Sequence, residues 1–184
     1  MPFVSTAITG LFIFEPSVYK DERGYFFESY NEQTFHGQGH MQRFVQDNQS
    51  FSLFGVIRGL HYQQEPHPQT KLVRVLQGRI LDVAVDIRKG SPTFGKYVSV
   101  ELSAENKRQL LIPRGFAHGF SVLSETAEVS YKCDGFYDKA SEGGIRFDDP
   151  QLNIDWQVPA DKAIVSSKDQ ALPSFAACRN NFEY

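Results

Sequence analysis

The sequence predicts an all-β protein, an antiparallel sandwich or barrel with a few short helices. Apolar residues recur with period two in segment after segment, the spacing that brings alternate side chains to one face of a strand. The chain is rich in rings, with 16 Phe and 8 Tyr, and rings favour pleated, half-buried surfaces. Most of these rings belong to a core, and one or two are available to stack on a base or sugar. Helical periodicity is weak. Many short strands at close spacing leave a sandwich or a barrel as the architecture.

Taken along the chain, the first local signal is a short helix. Asn31 can cap it and Gly37 marks its end. Gln77-Gly78 reads as a turn between two strands. The strand that follows, Arg79 to Ile87, alternates cleanly and places Leu81, Val83, Val85 and Ile87 on one face. Lys89-Gly90-Ser91-Pro92 is a loop. Lys96 to Leu102 alternates again, gathering Val98, Val100 and Leu102, and Ala127, Val129 and Tyr131 form a third period-two set. From about Asp134 the chain turns loop-rich, with Gly143-Gly144 and Asp149-Pro150 as breakers and room for short helices.

At 184 residues the chain is long enough for one domain with a real core, and residues 1–184 are read as that domain. It is 41% hydrophobic and 22% charged, ordinary for a globular protein. A formal net charge of -3 argues against bulk attraction to nucleic acid or an anionic membrane. Any phosphate must be held by a few local cations. The N-terminal residues Met1 to Ser5 carry no signal-peptide pattern, and no apolar run approaches the length of a membrane span. The expected location is cytoplasmic. Two cysteines, Cys133 and Cys178, lack metal-type spacing and read as unpaired thiols without a catalytic role. No dinucleotide fingerprint is present.

Two segments resemble the paired motifs of the cupin superfamily: Gly59-Leu60-His61 through Lys71 to Gly78, and Pro113-Arg114-Gly115-Phe116-Ala117-His118. The resemblance turns the general all-β reading into a double-stranded β-helix, the cupin jelly roll. Metal-binding cupins present two histidines and a glutamate from the first motif and one histidine from the second. This sequence keeps His61 and His118 but has Gln63 at the second histidine position and Lys71 at the glutamate position. An ammonium in a metal shell repels the ion and cannot ligate unless deprotonated. His67, the remaining imidazole nearby, stands among Pro66, Pro68 and Gln69 in a polar loop. The expectation is a barrel mouth used with no metal and no cofactor.

Longer blocks narrow the resemblance. Asp21 to Glu28 (DERGYFFE), Gly55 to Gln63 (GVIRGLHYQ), Lys71 to Val75 (KLVRV), Ile112 to Phe120 (IPRGFAHGF), Glu142 to Pro150 (EGGIRFDDP) and Ser167-Lys168-Asp169 stand in the order found in the dTDP-sugar 3,5-epimerases. The chain resembles that isomerase family from residue 8 to about 175. The resemblance implies a dTDP-4-keto-6-deoxyhexose substrate whose C3 and C5 protons are acidified by the ketone between them. Such chemistry needs a base on one face, an acid on the other and positive charge near the ketone oxygen.

By resemblance His61 is the base, oriented by Asp169; Lys71 is the electrophile; Tyr131 is the acid. Arg58, Arg23 and Lys168 are candidates for pyrophosphate or sugar contacts. Gln46 and Asn48 match positions that touch polar groups of the ligand. Phe26, Glu28 and Tyr137 match positions near the thymine. His118 supports the site from behind, and Glu142 contacts ligand or orders its loop. His36 and His40, in a polar stretch, are assigned no role. The family implies a homodimer in which the N-terminal segment reaches the partner. Single-centre epimerases of related dTDP-4-keto-6-deoxy sugars would use the same residues, so the alternative of a 3-only or 5-only enzyme stays open. A metal-dependent cupin oxygenase or a silent sugar-nucleotide binder fits the quoted residues less well. One conflict yields a structural expectation. Strict alternation puts Arg58 and His61 on opposite faces of a strand, so both can reach one pocket only if the strand bulges near Gly59.

Overall fold

The computed structural model describes residues 2–184. The strands in chain order are β1 (Phe3–Ser5), β2 (Phe12–Phe14), β3 (Tyr19–Asp21), β4 (Gly24–Phe26), β5 (Gln46–Leu53), β6 (Val56–Gln63) and β7 (Lys71–Gln77), then β8 (Arg79–Asp86), β9 (Tyr97–Ser103), β10 (Gln109–Ile112), β11 (Phe116–Val122), β12 (Thr126–Cys133), β13 (Glu142–Gly144) and β14 (Ile164–Val165). Helix α1 (Glu32–His36) lies between β4 and β5, and α2 (Ser167–Gln170) follows β14. Two sheets face each other. The first runs β1-β2-β10-β7-β12-β5, and the second runs β13-β6-β11-β8-β9 with β14 added parallel to β6. The other pairings are antiparallel. This is the expected jelly roll.

The core comes in three parts because both sheets are covered on both sides. Between the sheets lie Val73, Val75, Ile80, Ala84, Leu102, Leu110, Phe120, Ala127 and Val129, with Tyr131 packed at the edge of the cluster. Behind the second sheet, Leu81, Val83, Val85 and Ile87 meet Trp156, Phe175 and Phe182 from the C-terminal segment. The predicted apolar face of β8 is therefore buried, but under the C-terminal loops rather than between the sheets. Behind the first sheet, Phe14, Leu72 and Leu111 pack on Phe35 of α1. That helix forms where the cap chemistry placed it: Asn31 Oδ1 accepts from the backbone N–H groups of Gln33 at 2.9 Å and Thr34 at 3.3 Å.

β6 carries the predicted bulge. His61 stands opposite His118 and Arg58 opposite Phe120, so three steps on β6 match two on β11. Gly59 takes a φ of +131°, and a Cβ there would lie 2.5 Å from the Cα of Gly119. A Cβ on Gly119 would in turn lie 2.7 Å from the Arg58 carbonyl oxygen. The Gly143-Gly144 pair behaves differently from its reading as a breaker. It lies inside β13, with Gly143 opposite Tyr62 and Gly144 opposite His61. The Tyr62 ring and Leu172 fill the space where Cβ atoms would stand, at 2.4 Å and 2.7 Å. Glycine here admits a neighbouring side chain against the backbone rather than ending an element.

β3 and β4 form a separate two-stranded hairpin that joins neither sheet. All six of its residues are exposed. Lys107 sits 4.0 Å over the ring of Tyr25 and ties this arm to the body.

Candidate active site

The mouth of the jelly roll opens into a cavity of about 530 Å³ lined by Arg58, His61, Lys71, His118, Tyr131, Lys168 and Asp169, among others. An adjoining cavity of about 380 Å³ shares His61, Lys71 and Tyr131 and adds Gln46, Asn48, Tyr137 and Glu142. The two sheets supply opposite walls. His61 on β6 and His118 on β11 are cross-strand partners on the second sheet. On the first sheet, Lys71 of β7 pairs with Cys133 of β12, and Val73 with Tyr131, so Lys71 and Tyr131 lie two residues apart along one face.

His61 Nε2 is 2.8 Å from Asp169 Oδ1. Asp169 itself is buried, and its other oxygen accepts from the Gly59 N–H at 3.1 Å. Ser166 caps α2 by accepting from the Asp169 N–H at 3.1 Å, which fixes that residue in the first turn. Burial works to raise the Asp169 pKa, but hydrogen bonding and charge from His61, with help from Gly59 and Ser166, bring it below the ordinary value. An ionised Asp169 accepts a hydrogen bond from Nε2–H, a tautomer that leaves Nδ1 of a neutral His61 as acceptor.

Burial lowers the Lys71 ammonium pKa, opposed by the Cys133, Asp82 and Glu142 side chains. Burial raises the Tyr131 phenol, with Cys133 adding to the shift and Arg58 opposing it, so the hydroxyl keeps its proton. Burial also pushes the Cys133 thiol up to about 11, which suits an inert structural cysteine. His118 is buried, with Nε2 2.7 Å from Oδ1 of the fully buried Asp82.

Arg58 reaches the cavity past the bulge, its Nε donating to Ser52 Oγ at 3.1 Å and its Nη2 to the Phe51 carbonyl at 3.3 Å. Lys168 Nζ and Glu142 Oε1 are 2.6 Å apart, and the Tyr137 hydroxyl donates to Glu142 Oε2 at 3.3 Å. Gln46 Oε1 accepts from the Tyr137 N–H at 3.0 Å, while its amide donates to Asn48 Oδ1 at 3.0 Å. Gln63, at a cupin ligand position, is a loop brace. Its Nε2 donates to the His67 carbonyl at 2.7 Å and its Oε1 accepts from the Asp138 N–H at 2.9 Å. Among the described residues no group of three or more His, Cys, Asp or Glu side chains is arranged to hold a metal ion.

Three predicted residues are not brought into this cleft. Arg23 is paired with Asp21 at 2.5 Å on the arm, Phe26 is 71% exposed, and Glu28 accepts from Asn31 Nδ2 at 3.0 Å beside α1. Two further residues bear on the site and were not singled out, one in its lining and one behind His118. Ser50 lines the first cavity with its buried Oγ unpartnered. It follows Gln46 and Asn48 at period two, which is the signal that would have found it. Asp82 is the other, an acid in an otherwise apolar stretch of β8.

The family model for dTDP-4-dehydrorhamnose 3,5-epimerase matches residues 5–177. The dTDP-4-dehydrorhamnose 3,5-epimerase of Shigella flexneri is 56% identical over 170 residues, covering 92% of this chain and 93% of its own. The crystal structure of the Elizabethkingia anophelis enzyme of the same name superposes with a TM-score of 0.91 at 55% identity, covering 95% of this chain and 96% of that one. A second, the dTDP-6-deoxy-D-glucose-3,5-epimerase of Legionella pneumophila in complex with dTDP-4-keto-L-rhamnose, gives a TM-score of 0.91 at 51% identity, covering 95% and 93%. With a cleft of this make-up and matches over nearly its whole length, the chain belongs to the dTDP-4-dehydrorhamnose 3,5-epimerase family of isomerases.

Proposed function

We propose that this chain, acting as one jelly-roll domain, converts dTDP-4-dehydro-6-deoxy-D-glucose to dTDP-4-dehydro-L-rhamnose by inverting C3 and C5 without a metal or cofactor. The observation that carries the reading is the placement of a carboxylate-backed imidazole on one wall of the cleft and an ammonium and a phenol on the other. His61 Nδ1 takes the proton from C3 or C5, and the C–H electron pair moves into an enolate whose oxygen faces Lys71. Asp169 stabilises the imidazolium that forms. Tyr131 returns a proton to the opposite face of the carbon, and solvent resets both groups. A phenol that resists ionisation gives up its proton only to a strong base such as the enolate carbon.

Arg58 and Lys168 supply cationic contacts for the pyrophosphate and sugar end. Gln46, Asn48, Tyr137 and Glu142 bound the adjoining cavity and contact the rest of the nucleotide. His118 backs the site. Arg23, Phe26 and Glu28 serve the cleft of a second copy, which makes the working form a homodimer. The support for that is the exposed hairpin, joined to neither sheet, on which Arg23 and Phe26 stand.

The test is exchange in deuterium oxide on dTDP-4-keto-6-deoxyglucose. Label entering at both C3 and C5 is expected. No label would end the proposal, and label at a single carbon would make the chain a single-centre epimerase. His61→Ala is expected to abolish exchange at both carbons while dTDP still binds; retained exchange would remove His61 from its role.

A further inference from the structure

Asp82, behind the cleft and bonded to its lining residue His118, is a buried acid that the mechanism above does not use. It lies on β8, in the second sheet, with its side chain turned to the space between the sheets and no exposed surface. Oδ1 holds His118 Nε2 at 2.7 Å, while Oδ2 is buried without a hydrogen-bond partner. An unpaired carboxylate oxygen in so enclosed a place is costly unless a nearby positive charge compensates it. His118 lines the cavity with Lys71, and among the described residues its Nδ1 has no hydrogen-bond partner. We infer that Asp82 is a positioning residue for the proposed epimerisation: it fixes His118 with the proton on Nε2, so that Nδ1 accepts from a substrate hydroxyl, and its charge keeps Lys71 an ammonium facing the ketone oxygen.

The charge balance around Lys71 supports this. The titratable groups around it are Cys133 and Tyr131 on β12, Glu142 from β13, Asp82 from β8, and the imidazoles of His61 and His118. Burial makes the ammonium easier to deprotonate, and Cys133, Asp82 and Glu142 oppose that. The thiol is protonated at working pH, and Glu142 is already paired with Lys168. Asp82 is thus the carboxylate left over for Lys71. Burial also lowers the His118 pKa, against the pull of Asp82 and with Lys71 and His61 adding to it, so the ring is neutral and its tautomer matters. A neutral imidazole with its proton on Nε2 is an acceptor at Nδ1 and cannot compete with Lys71 as a donor to the enolate oxygen.

The inference rests on the proposed epimerisation, and the experiment separates the two. Asp82→Asn keeps the shape of the side chain and removes its charge. In the exchange assay kcat is expected to fall by about 10- to 100-fold with KM nearly unchanged, as for loss of a group that acts through another. The alkaline limb of the kcat profile should move to lower pH, because Lys71 loses a group that favours its charged form. A merely structural Asp82 would not move that limb. Wild-type kcat with an unmoved limb in Asp82→Asn would overturn the inference while leaving epimerisation intact; an inactive wild type would instead overturn the functional reading. Should the variant fail to fold, ¹⁵N-histidine spectra of the wild-type protein decide. A neutral His118 protonated on Nε2 supports the inference, and a proton on Nδ1 overturns it.

Discussion

The cleft and the N-terminal arm carry motifs of equal sharpness, yet the fold treats them in opposite ways. His61, Lys71, Tyr131 and Asp169 come from β6, β7, β12 and α2 and converge on one cavity. Arg23 and Phe26, from a block that is equally family-like, stand on a hairpin that pairs with neither sheet. Lys71 and Tyr131 are held by strand register, whereas the arm meets the body through Lys107, which lies over the rings of Tyr25 and Phe27. A motif therefore reports which residues resemble a family's working set, but not where the fold places them.

Three experiments would break or sharpen that contrast. The largest effect is expected at Asp169, where Asn keeps the shape but spoils the His61 tautomer. kcat should fall by about 10³- to 10⁴-fold, the scale seen when a carboxylate that orients a catalytic histidine is neutralised. Steady-state kinetics with dTDP binding as a control checks this, and a loss below tenfold would detach Asp169 from the base. Next comes a mixing test of the arm. A Phe26→Ala/Glu28→Ala variant is expected to lose activity mainly through KM, and His61→Ala to be inactive. In the proposed homodimer, re-association makes half the dimers hybrids with one intact site in two, so about a quarter of wild-type activity should return. No recovery on mixing would mean that the arm serves its own cleft, if it serves any.

The smallest effect separates the two regions by stability. Gly59→Ala should lower unfolding free energy by about 3 kcal/mol, because a Cβ at positive φ must also displace the facing strand. Phe26→Ala on the arm should leave the melting temperature unchanged. A melt in denaturant would show whether the body and the arm differ in this way.

What the sequence disclosed follows the range of the forces involved. The α1 cap was legible because Asn31 bonds N–H groups two and three residues away. The inward aim of Tyr131 was legible from period two, and the bulge from the conflict between Arg58 and His61. Asp82 was not, because an acid at an alternate strand position reads as a solvent-facing residue, and only the opposing sheet buries it. Gly143-Gly144 misled for a similar reason. The Tyr62 ring and Leu172 that require those glycines come from 81 residues earlier and 28 residues later in the chain than the glycines they contact. The standing of the arm apart from both sheets was not legible, since nothing local in residues 19–28 says what it packs against.

Gly59 and Gly119 crowd each other across β6 and β11, each standing where the other's missing side chain would go. Neither can be enlarged to make up for a change in its neighbour, since both clashes are with main chain. The pair is therefore locked by backbone alone, independently of the chemistry at Arg58, His61 and His118 on the same strands: a saturation library spanning both should return glycine at the two positions together, or return no working enzyme.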